Sequence, residues 1–229
     1  MKYLIITFCA FLLYVPTRLS AQPKSDLSSL PLHLSATSND LPLVIYLTGD
    51  GGWNSFSQLL TAELQKSGYA VVALDTRKYF WEQKTPEQLA RDTQRMLDYY
   101  MKSWNKSSWI LLGYSFGADT GAFLPSRMTK NTAAQLESVV LLSPGFSTGF
   151  VTKISNMLGF GGSDKDKYKV YPELLKIRVP LLCIFGKDED SDFYPAVKPT
   201  ANLKKMLIPG NHKFNDDVRL ISKLVIQSR

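Results

Sequence analysis

The chain has 229 residues, with 27 Lys and Arg against 20 Asp and Glu, two His and two Cys. The basic residues form no compact cluster interleaved with aromatics, which argues against nucleic-acid binding, and two histidines are too few for the usual zinc sites. With Cys9 in the first ten residues and only Cys183 in the body of the chain, a disulfide framework is excluded.

Taken in chain order, residues 1–21 read as a secretory signal peptide: Met1-Lys2 is positive, Tyr3 to Val15 is apolar, and Leu19-Ser20-Ala21 offers small residues for cleavage. The apolar run, roughly 13 residues, falls short of the ~20 needed to span a bilayer. Export to a periplasm is therefore expected, and the lack of disulfides suits that compartment. Without Lys2 and Arg18 the charge is 25 − 20 = +5, an excess that favours peripheral contact with an anionic membrane surface.

Residues 22–40 read as an N-terminal segment or edge strand, and residues 41–229 as one domain. Short, nearly continuous apolar runs at Leu43 to Leu47, Ala70 to Leu74, Trp109 to Leu112, Val139 to Leu142 and Leu181 to Phe185 suggest parallel strands covered on both faces. Met206 to Ile208 reads as a last strand. Helical segments are expected at Ser55 to Lys66, Pro86 to Trp104, Phe116 to Arg127 and Asp216 to Ile226. The second has Thr85 as cap, Pro86 at the first helical position and Glu87-Gln88 in the first turn. This alternation predicts a doubly wound, mostly parallel α/β domain, with its chemistry at the carboxyl ends of the strands. The stretch 147–171 interrupts it with Gly159, Gly161 and Gly162 among apolar Phe150, Ile154, Met157, Leu158 and Phe160. It is either a small lid or an ordinary connection packed on the sheet.

Gly113-Tyr114-Ser115-Phe116-Gly117 is a G-x-S-x-G sequence between a strand and a helix, the setting in which small neighbours let a serine occupy a strained turn with its hydroxyl exposed. This context predicts the α/β-hydrolase fold, with Ser115 as nucleophile. A serine needs a base. His33 precedes the first strong strand, where no such base is expected, whereas His212 follows the last strand, as the chain order serine, acid, histidine requires. The acid should follow Leu181 to Phe185. Spacing from Gly186 favours Glu189, with Asp188 and Asp190 as alternatives. The turn Gly49-Asp50-Gly51-Gly52 should help form an oxyanion hole from the N–H groups of Asp50 and Phe116. The same glycine run lacks the Lys-Ser/Thr of a P-loop, so no cofactor or metal is expected.

LPLVIYLTGDGGW (Leu41 to Trp53), VVALDTRKYFW (Val71 to Trp81), GYSFGAD (Gly113 to Asp119) and CIFGKDED (Cys183 to Asp190) resemble the VirJ/AcvB family of bacterial virulence-associated proteins. The resemblance runs from about Leu41 to Leu224. It implies a periplasmic α/β-hydrolase acting on the aminoacyl ester of aminoacylated phosphatidylglycerol such as lysyl-phosphatidylglycerol. It also implies secretion-system proteins as partners, with a non-enzymatic accessory role in type IV secretion or the envelope as the alternative. It is consistent with Ser115 and His212, leaves the acid open, and draws attention to Asp50, Asp75 and Asp119. Gly51, Asp75 and Asp119 are candidate substrate-binding positions, and a carboxylate near the nucleophile suits a substrate ammonium. Asn211 stands where the pattern suggests glycine or an acidic residue.

Overall fold

The computed structural model describes residues 27–152 and 166–229. The expected signal peptide and the central part of the stretch 147–171, residues 153–165, lie outside the described residues.

In chain order the elements are β1 (Leu32–Ser35), β2 (Leu43–Leu47), α1 (Ser55–Lys66), β3 (Ala70–Leu74), α2 (Thr76–Tyr79), α3 (Pro86–Ser103), β4 (Trp109–Tyr114), α4 (Phe116–Gly121), α5 (Lys130–Ala134), β5 (Leu136–Leu142), β6 (Ser147–Thr148), β7 (Tyr168–Lys169), α6 (Val170–Leu174), β8 (Leu181–Gly186), α7 (Phe193–Ala196), β9 (Leu203–Ile208) and α8 (Val218–Gln227). The main sheet has the order β1-β3-β2-β4-β5-β8-β9. All neighbours are parallel except β1, which pairs antiparallel with β3 at one edge.

Every residue of β2 is buried, because its two faces meet two different helical layers. Leu43, Ile45 and Leu47 point into a cluster with Leu89, Met96 and Leu97 of α3 and Ala118 of α4. Val44 and Tyr46 point the other way, to Phe56, Leu60 and Leu64 of α1 and Ile221 and Val225 of α8. Period-two alternation thus sends apolar side chains to both faces. Helix α3 starts with a capping box: Gln88 N–H donates to Thr85 Oγ1 at 3.2 Å, and Thr85 N–H to Gln88 Oε1 at 2.8 Å.

Two expected boundaries need correction. The helix expected to run to Arg127 ends at Gly121, and the chain tightens into i→i+3 bonds, Leu124 N–H to Gly121 O among them, before a 3₁₀ turn at Pro125–Arg127. Pro125 has no N–H to continue the α ladder. The last strand begins at Leu203 rather than Met206. As an outer strand it accommodates Lys204 and Lys205, charges that also protect the edge. In the stretch read as either a lid or an ordinary connection, β6 pairs antiparallel with β7. Phe150 is fully buried among Phe80, Phe123 and Tyr168, so this side chain belongs to the core.

Candidate active site

Strand β4 hands over to α4 through a single residue, Ser115, at φ 53° and ψ −120°. A non-glycine residue there is strained, at a cost of roughly 1–3 kcal/mol, and the surroundings enforce it. Ser115 N–H donates to Leu142 O at 2.8 Å, while Ser115 O accepts from the amides of Ala118 and Asp119. The two flanking glycines make the turn possible. A Cβ on Gly117 would overlap the carbonyl oxygens of Leu47 and Thr48, and one on Gly113 would lie 2.6 Å from Gly117 O.

His212 comes from the loop after β9 and Glu189 from the turn after β8. Nε2 of His212 lies 2.9 Å from Ser115 Oγ, and Nδ1 lies 2.7 Å from Glu189 Oε1. The second oxygen of Glu189 accepts from Ser143 Oγ at 2.7 Å and Gly186 N–H at 3.2 Å. Burial disfavours the charge on Glu189, but these hydrogen bonds, that from His212 first, outweigh it and hold the carboxyl below its usual range. Of the three acid candidates, Asp188 and Asp190 are exposed and neither bonds His212. Ser143, which the sequence reading missed, sits at φ 47° just after β5; the Ser-Pro pair at a strand end was its only signal.

The histidine loop is held from both sides. Tyr114 Oη donates to His212 O at 3.2 Å, and its ring lies 5.6 Å from the imidazole. Asp188 N–H donates to Gly210 O at 2.9 Å, and a Cβ on Gly186 would strike the carbonyls of Gly210 and Asn211. Asn211, the departure from the family pattern, accepts from Lys213 N–H at 2.9 Å.

Ser115, His212 and Glu189 open into a cleft of about 560 Å³, also lined by Asp50, Phe116 and Asp119. Asp50 and Phe116 line the same cleft as Ser115, and their amides donate to no acceptor among the described residues, as donors to an oxyanion would have to. Among the described residues six carboxylates line the cleft, those of Asp50, Asp119, Asp166, Glu189, Asp190 and Asp192, and no Lys or Arg does. Asp119 is 8% exposed and accepts from Gly145 N–H at 2.6 Å. Burial pushes its carboxyl up to about 8.

Two expected substrate-binding residues lie elsewhere. Asp75 caps α2, accepting from Lys78 N–H at 3.2 Å. Together with Gly51 it borders a second concavity rather than the cleft. His33 stacks on Trp53 there, with ring centroids 4.1 Å apart. Among the described residues no three His, Cys, Asp or Glu side chains are grouped to hold a metal.

The family described as bacterial virulence protein (VirJ) matches residues 41–229. No protein of curated function matches the sequence. Among solved structures, the chain is similar to Est1E from Butyrivibrio proteoclasticus (17% identity, 86% of this chain and 91% of that one, TM-score 0.63). It is also similar to MenH from S. aureus (13%, 86% and 97%, TM-score 0.63) and to the enol-lactonase from Burkholderia xenovorans LB400 (18%, 86% and 95%, TM-score 0.62). At such identities the likeness establishes the fold, that of the α/β-hydrolases.

Proposed function

We propose, since the chain belongs to the VirJ family of bacterial virulence proteins, that it is an exported serine esterase that removes the aminoacyl group of an aminoacylated phosphatidylglycerol in the periplasm. The observation that carries the chemistry is the continuous chain of hydrogen-bond distances from Ser115 Oγ through His212 to Glu189, beside two unengaged amides. In this mechanism Nε2 of His212 takes the hydroxyl proton as Oγ bonds to the ester carbonyl carbon. The carbonyl oxygen becomes an oxyanion held by the amides of Asp50 and Phe116. Glu189 keeps the Nδ1 proton in place and balances the imidazolium. The imidazolium protonates the departing glycerol oxygen as the C–O bond breaks, leaving an aminoacyl ester on Ser115. Water, deprotonated by the same histidine, attacks that ester, and the imidazolium returns the proton to Ser115 Oγ as the acyl C–Oγ bond breaks and the amino acid leaves.

The preference for an aminoacyl ester rests on charge. Among the described residues, carboxylates are the only ionisable side chains other than His212 that line the cleft, and a cation bound there regains in Coulomb attraction what it loses in hydration. The test uses vesicles containing lysyl-phosphatidylglycerol, with free lysine and free fatty acid measured for the native chain and for Ser115→Ala. Lysine release by the native protein alone supports the reading. Fatty-acid release instead makes it a lipase, and absence of both products, with no labelling of Ser115 by a fluorophosphonate, leaves a binding protein such as a secretion accessory.

A further inference from the structure

The turn that carries Asp50 into the cleft continues, through Gly51 to Trp53, into the second concavity, of about 580 Å³. Its walls have the opposite character. His33 and Trp53 stack nearly parallel, 6° apart, on one side. On the other, α2 presents Arg77 and Lys78, and Trp81 follows just after its end. The Arg77 guanidinium makes no hydrogen bond or ion pair with any described residue. Lys78 is 68% exposed and, among the described residues, is ion-paired with Asp75 alone, at 3.6 Å. Trp81 is 62% exposed, the most exposed of the large apolar side chains described. The remaining acid of this stretch, Glu82, is paired with Lys84 at 3.9 Å.

This presentation is built into the fold. Asp75 caps α2 at its start. At its end Thr152 Oγ1 donates to the carbonyls of Arg77 and Phe80, at 3.1 and 3.0 Å. Tyr79 and Phe80 point into the core, and Phe80 packs edge-on against Phe116, beside the nucleophile, at 5.1 Å. With its neighbours anchored inward, Trp81 is held outward.

We propose that this groove docks the protein on an anionic phospholipid surface. Tryptophan rings favour the headgroup level of a bilayer, where the ring is buried and its N–H stays wet, and exposed Arg and Lys beside them attract lipid phosphates. The purpose of such docking rests on the esterase reading. A lipid whose phosphate lies over Arg77 and Lys78 can present a positively charged aminoacyl head to the carboxylate-lined cleft across the shared turn. The docking itself needs no chemistry.

The experiment is therefore made on Ser115→Ala, which leaves vesicles unaltered and the measurement intact even if the esterase reading fails. Full-length protein is co-sedimented with vesicles of phosphatidylcholine alone or mixed with phosphatidylglycerol. All variants carry the same N-terminal segment, so differences between them report the groove. Partition is expected to rise with phosphatidylglycerol and to fall with salt. Adding Arg77→Gln and Lys78→Gln should lower it about 30-fold, at about 1 kcal/mol per cation, and Trp81→Ala should lower it by severalfold, with unchanged far-UV circular dichroism. A doubly substituted chain that partitions like its parent, or a parent indifferent to phosphatidylglycerol, overturns the proposal. A groove substitution that instead dissolves a dimer on a sizing column, with no effect on vesicles, assigns the face to self-association and also overturns it.

Discussion

Replacing Asp119 with Asn should stabilise the fold and impair the function, and the two effects should separate by pH. In the folded chain burial pushes this carboxyl from 3.8 up to about 8. Below about pH 4 folded and unfolded chains both carry the proton, so the shift has no effect on stability. Above it the unfolded chain ionises while the folded one stays protonated until about pH 8, so stability falls as pH rises across that window. Between pH 5 and pH 8 the loss is at most about 4 kcal/mol, three pH units at 1.36 kcal/mol each. Asparagine keeps the shape and can accept from Gly145 N–H, but it has no proton to hold. Even half the maximum, about 2 kcal/mol, corresponds to about 4–8 °C in a domain of this size. The melting temperature of Asp119→Asn should therefore exceed that of the native chain by an amount that grows from pH 5 to pH 8. Its KM for a lysyl ester should rise more than for an uncharged acyl ester of equal size, because a bound ammonium favours the ionised aspartate. A melting-temperature difference that stays constant with pH refutes the stability argument, and equal KM effects on both esters refute the charge argument.

Other substitutions test the catalytic frame. Glu189→Gln should lower kcat for a soluble ester by about 10³–10⁴-fold, whereas Asp188→Asn and Asp190→Asn, whose side chains do not reach His212, should each leave most of it in the same assay. Ser143→Ala removes one hydrogen bond to the Glu189 carboxylate, a charged-group bond of about 1.5–3 kcal/mol, so kcat should fall about 10–100-fold. The acid limb of its pH–rate profile should move to higher pH, because Glu189 loses a donor that holds its pKa down. Gly210→Ala places a Cβ at φ 108° against the backbone of Phe214 and Asn215. It should lower both melting temperature and kcat, checked by calorimetry and ester hydrolysis.

How far the sequence could be read depended on how local each signal was. The inner strands were legible because burial on both faces leaves continuous apolar runs, as in Leu43–Leu47 and Ala70–Leu74. Ser115 was legible because the glycines that permit its turn are its sequence neighbours. Glu189 was singled out only by spacing, since three acids crowd that turn and what separates them is which one faces His212, 23 residues away. Ser143 escaped because its role is a contact with a residue 46 positions on. Asp75 drew attention as an acid in a motif stretch, yet its side chain is engaged by the amide of Lys78, three residues on. An aspartate opening a short helix carries the same letter whether it caps or binds.

The sheet also explains why the histidine loop is so constrained. Strand β4 bears Ser115 and β8 bears Glu189, with β5 between them, so at about 4.8 Å per strand the two chain positions lie roughly 10 Å apart. A serine and a glutamate cannot meet across that gap, but an imidazole with a nitrogen for each can bridge it. The imidazole starts from β9, one strand farther out, and the loop must fold back over β8 to deliver it. That reversal is where Gly210, Phe214, Asn215 and Asp216 all take positive φ, a concentration of strain that needs compensation. Burial of Phe214 against the second core layer supplies part of it. The hydrogen bonds from Asp188 N–H and Tyr114 Oη to the loop carbonyls supply more. The bridging position of His212 is thus fixed by the strand order, and the backbone on either side of it bends to meet that requirement.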